Sequence, residues 1–142
     1  MGANWVGVAW PLGRAAAHRR SVGQHDVTRR EFTKSEKRKL RALAEEAYAR
    51  ELDTALQDLG SLFTDWRQKN ISGFQLAEAI HEFHRGIART LYSDYTRLDP
   101  GFLVARAVGR RLLEEREVPE PLLRALASLI AYCRESYEDR DA

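Results

Sequence analysis

Two histidines three residues apart, His81 and His84 in the run Ile80-His81-Glu82-Phe83-His84-Arg85-Gly86, are the side chains of this sequence best spaced for chemistry. On a helix, residues three apart lie on one side and can reach a single ligand. Glu78 precedes His81 by three, giving a Glu-x-x-His element of the kind that carboxylate-bridged metal sites use in helical bundles. Two imidazoles, a carboxylate and a water would also make an open zinc site. Helical phase places both imidazoles on the inner side of their helix, in line with Ala77 and Ala88, and Glu51 lies on the inner side of the preceding helix. The expected set is therefore His81, His84, Glu78 and Glu51 around a divalent metal, and a two-metal centre would need a second subunit to supply another Glu-x-x-His. The competing expectation is no cofactor: an inward imidazole is commonly satisfied by a neighbouring carboxylate or tyrosine, and Glu51, Tyr48 or Tyr92 would serve. A zinc-protease pattern is excluded, because it needs His-Glu-x-x-His at four-residue spacing.

Other chemistries are absent from the sequence. No phosphate-cradling Gly-x-Gly-x-x-Gly or Gly-Lys-Ser/Thr occurs, and no serine sits in a nucleophile elbow. Cys133, the single cysteine, falls beside Ile130 on an apolar helical face and reads as a small core residue rather than a nucleophile. One cysteine forms no internal disulfide, which suits a reducing compartment, and no apolar run approaches the roughly 20 residues that cross a bilayer. A twin-arginine-like string, Thr28 to Lys34, is followed by charged rather than apolar residues and is rejected as an export signal. The expectation is a cytoplasmic, non-membrane protein, with an enzymatic role left open only through the His/Glu set and its hydrolytic or redox chemistry.

The formal charge of +2 conceals an asymmetry. Residues 1–41 hold ten Lys or Arg against three Asp or Glu, so that part carries +7 and the remainder −5. Arg29, Arg30, Lys37, Arg38, Lys39 and Arg41 in the basic part, with Arg85 and Arg89 beside the histidines, are candidate contacts to nucleic acid or another anion through counterion release. The plainer reading is a solvated basic arm.

Those residues must be carried by helices. Glycines and Pro11 interrupt every apolar run in the first 27 residues, so residues 1–30 are expected to be a flexible basic tail and 31–142 a helical domain. Thr33-Lys34-Ser35-Glu36 is a capping box opening a long helix over about 34–68, whose apolar residues from Leu40 to Trp66 recur at three and four. Asn70 ends it, and Ser72 with Gln75 caps a second helix over 73–96. Asp99-Pro100 opens a third over 100–115, and a fourth spans 120–138. The fold class is all-α, a four-helix bundle-like domain with a long first helix.

A first helix of about 35 residues would reach ~50 Å, whereas a compact domain of this size spans ~35 Å. Either the helix kinks at Gly60-Ser61 or one end projects and packs on another chain, in which case Leu40 and Leu43 need covering. The favoured function is accordingly a protein-interaction or oligomerisation module, a homodimer or a chain paired with a helical protein partner. The alternatives are a metal-binding bundle and a nucleic-acid accessory protein. Gly86 costs about 1 kcal/mol against alanine in mid-helix and is expected to admit a neighbouring helix, a ligand or the Trp66 ring.

Overall fold

The computed structural model describes residues 31–141; the expected tail over residues 1–30, with Arg29 and Arg30, lies outside them. The described chain is helical throughout, in the order α1 (Lys34–Arg67), α2 (Gly73–Phe83), a π-turn (His84–Ala88), α3 (Arg89–Arg97), α4 (Pro100–Gly109), a 3-10 turn (Glu115–Glu117) and α5 (Glu120–Asp141). None of these helices is long and apolar enough to cross a membrane.

Each expected start is built as the sequence dictates. Thr33 Oγ1 accepts from the Glu36 amide at 3.1 Å while Glu36 Oε2 accepts from the Thr33 amide at 2.9 Å. Ser72 and Gln75 repeat the exchange at the same distances. Asp99 Oδ1 accepts from the Gly101 and Phe102 amides, with Pro100 at the first helical position where its missing donor costs nothing. Such caps satisfy amides that would otherwise have no intrahelical partner.

The helix ends differ from expectation. Lys69, not Asn70, takes the left-handed conformation after α1, at φ 63°, and Asn70 then donates its amide to the Asp65 carbonyl at 2.8 Å. The same closure ends α4 at Gly109 rather than near residue 115: Arg111 sits at φ 60° and Leu112 donates to the Ala107 carbonyl at 2.8 Å. Both are Schellman turns with a side chain where glycine is preferred. Left-handed backbone costs a non-glycine residue roughly 1–2 kcal/mol, so Lys69→Gly and Arg111→Gly are each expected to stabilise the fold by about 1 kcal/mol, read as a higher midpoint in urea.

The turn at Arg111 folds the chain back so that Leu113 and Val118 enter the core. That core is organised around α4, seven of whose ten residues are buried. Leu103, Val104 and Val108 meet Leu40, Leu43, Ala44 and Ala47 of α1 on one side and Leu122, Leu126 and Ile130 of α5 on the other. Cys133 is buried as a small core residue. Leu40 and Leu43, expected at a projecting end, are thus at the centre of the fold, because α4 packs on the first half of α1.

A two-pronged ion pair ties α1 to the loop after α4. Arg50 gives Nη1 to Glu117 Oε2 at 3.0 Å and to the Leu112 carbonyl at 2.8 Å, and Nη2 to Glu117 Oε1. The Arg50 guanidinium and the Glu114 amide hold the Glu117 carboxyl down at about 2, from an ordinary value of 4.5. A lowered acid pKa favours the fold above the unfolded value, and that contribution disappears as pH falls through the folded one. We expect the thermal midpoint to drop between about pH 4.5 and pH 2, with a smaller drop in Glu117→Gln, whose side chain does not titrate.

Candidate functional site

Beyond Tyr48, α1 leaves the core and runs on through Gly60 and Ser61 without a break to Arg67. The expected kink is absent, and it is the C-terminal half of the helix that projects. The chain reverses at residues 68–72 and returns along it as α2, the π-turn and α3, so residues 49–97 form a helical arm. Within this arm only Leu76 and Leu91 are buried.

Large apolar side chains are correspondingly left uncovered. Phe74 is 91% exposed at the tip, Ile80 and Ile87 are 41% and 46% exposed along the returning rod, and Leu56, Trp66 and Tyr92 are exposed as well. Trp66, which the sequence assigned to the core stripe, is only half covered.

The π-turn changes which residues of the returning rod face α1 after it. One extra residue in a helical turn shifts the following residues by about 100°. Upstream, Leu76 and the half-buried Phe83 face α1; downstream the shift brings Ala88, Leu91 and Tyr95 inward, and Ile87 is left in the turn. Gly86, at φ −94° and ψ −107°, interrupts the helical backbone there. A Cβ on Gly86 would meet nothing within 4 Å, so neither a neighbouring helix nor Trp66 fills the space beside it.

The same phase corrects the histidines. His81 and His84 are exposed, as is Glu78, and the imidazoles face away from the core rather than into it. Glu51 does point inward, but its Oε1 takes a hydrogen bond from Arg110 Nη1 at 3.4 Å. The expected set is not assembled in one chain: among the described residues no group of three or more His, Cys, Asp or Glu is placed to hold a metal ion. Of the candidate anion contacts, Lys37, Arg38, Lys39 and Arg41 are exposed on the first turns of α1, while Arg85 and Arg89 are exposed on the π-turn and the start of α3.

Comparison with protein-family models, with curated proteins and with solved structures returns no match.

The joint between arm and core is the second notable feature. Tyr48 of α1 stacks on Tyr95 of α3 with centroids 4.7 Å apart and planes at 24°, and the Arg106 guanidinium lies 5.4 Å from the Tyr95 centroid. Arg106 Nη1 donates to Asp94 Oδ2 at 3.0 Å. Burial, then the nearby Glu51 carboxylate, pushes the Tyr95 hydroxyl up to about 12. The pairs Glu51–Arg110 and Asp94–Arg106 anchor both strands of the arm to α4. Sequence reasoning missed Arg106 and Arg110; their signal was the four-residue spacing of two arginines in an otherwise apolar helix.

Proposed function

We propose that the protein is an oligomerisation module whose arm docks on a second copy of the same chain. The observation that carries this reading is the contrast between α4, buried over most of its length, and the arm, which has two buried residues and exposes six large apolar side chains. The order of residues along the returning rod points to a second copy as the partner. Laid antiparallel to itself about a two-fold axis between Phe83 and His84, the rod sets Ile80 beside Ile87, Glu78 beside Arg89, Glu82 beside Arg85 and His81 beside Gly86. A two-fold interface uses one patch twice, so it must be self-complementary. Antiparallel alignment pairs opposite charges here, while parallel alignment sets Glu beside Glu and Arg beside Arg. Exposed isoleucines supply affinity; Glu78, Glu82, Arg85 and Arg89, each two residues from an isoleucine, lie on the far side of the helix from it, so the charge order acts on orientation only as long-range steering.

The test is the mass of the full chain in solution by sedimentation or light scattering. A species of twice 16.3 kDa supports the reading, and 16.3 kDa at every concentration from micromolar to millimolar overturns it. In this dimer the histidines of both copies approach the axis, so elemental analysis of the same sample decides whether a metal accompanies assembly.

A further inference from the structure

α4 carries its arginines into a groove against the end of α5. The groove, about 230 Å³, is lined by Arg106 of α4, Arg110 at its C-cap, and Tyr132, Ser136, Tyr137 and Arg140 of α5, with Phe102 and Cys133 as its apolar lining. No acidic side chain lines it. We propose that this groove binds a small phosphate-bearing anion.

Three features support the assignment. First, three arginines and two tyrosines line one small space, the Ser136 hydroxyl being turned to the Tyr132 carbonyl at 2.9 Å, a set of donors suited to a phosphate group with three terminal oxygens rather than a planar carboxylate. Second, two of the arginines are held from behind. Asp94 takes Arg106 Nη1 and Glu51 takes Arg110 Nη1, which fixes both side chains while leaving other N–H donors of each fork unused by those bonds. Third, Arg106 Nη2 is buried with no hydrogen-bond partner. A buried donor without a partner is costly, so such an atom marks a place where a ligand or water belongs. Glu51 Oε2, also buried without a hydrogen-bond partner, belongs to the carboxylate that pairs with Arg110. The groove is smaller than the roughly 300–1,000 Å³ of pockets for drug-sized ligands, which restricts the ligand to the anion and a short substituent. Close approach of Gly109 to Cys133 keeps α4 and α5 in register at its floor.

Calorimetric titration of the full chain, at matched ionic strength, with inorganic phosphate, phenyl phosphate and acetate tests this. Phosphate is expected to bind at least tenfold more tightly than acetate. Arg140→Gln, at an exposed position that leaves both ion pairs intact, is expected to weaken phosphate at least tenfold with the thermal midpoint unchanged. Phenyl phosphate binding more tightly than phosphate identifies a monoester with a ring against Tyr137, and equal affinities identify the free anion; either supports the site. Absence of phosphate heat, equal affinity for phosphate and acetate, or phosphate binding unaffected by Arg140→Gln overturns it, the last because the anion then sits elsewhere on the chain.

Discussion

Ile80→Glu combined with Ile87→Glu is expected to convert the proposed dimer into a 16.3-kDa monomer with unchanged helicity. Both side chains are a little under half exposed in the single chain, so covering the remainder gains about 1 kcal/mol each. Four such side chains meet across a two-fold interface, for about 4 kcal/mol, or on the order of 10³ in Kd. Four new carboxylates at the seam add to that loss. Glutamate is a good helix former and both sites are exposed, so the arm itself should survive.

What the sequence revealed and what it hid divide along the range of the forces involved. Thr33, Ser72 and Asp99 were legible as caps because a cap is a bargain between residues two or three apart. The long α1 was legible because its apolar spacing, from Leu40 to Trp66, continues for more than seven turns. The inward face of α2 was not, since helical phase fixes the angles between side chains but not the direction of the neighbouring helix. Anchoring that face on Ile80 and Ile87 turned His81 and His84 inward; anchoring it on Leu76 and Phe83, as the packing does, turns them out. The π-turn compounds the difference by resetting the phase at Gly86, and nothing in a single sequence distinguishes a glycine that admits a neighbour from one that breaks a turn. Likewise the projecting half of α1 depended on where α4 lands, a contact between residues some 60 positions apart. Glu51 was rightly placed inward and wrongly partnered, for its carboxylate meets an arginine of α4 instead of an imidazole of α2.

Gly109→Ala is expected to be the most damaging added methyl among the described glycines. A Cβ built there lies 2.9 Å from Cys133 Cβ, 3.0 Å from the Arg134 amide nitrogen and 3.1 Å from the Cys133 carbonyl carbon. Two of those atoms are backbone of α5, so no side-chain rotation relieves the clash, and α5 must move away from α4. That movement separates Leu126 and Ile130 from the buried face of α4, the largest contact of the core. Overpacking of a fitted interface costs roughly 1–3 kcal/mol and sometimes more; a rigid neighbour places this site at the upper end, about 3 kcal/mol, which lowers the urea midpoint by roughly 1–3 M. Cys133→Ala should not rescue it, because alanine keeps the Cβ and both backbone contacts remain. Gly60→Ala is the internal control, with nothing within 4 Å of its Cβ in the middle of α1. There the same methyl should raise stability by about 1 kcal/mol through helix propensity alone. Opposite signs at the two glycines would establish that α4 and α5 meet backbone to backbone at Gly109, and equal signs would show that this close approach is not present in solution.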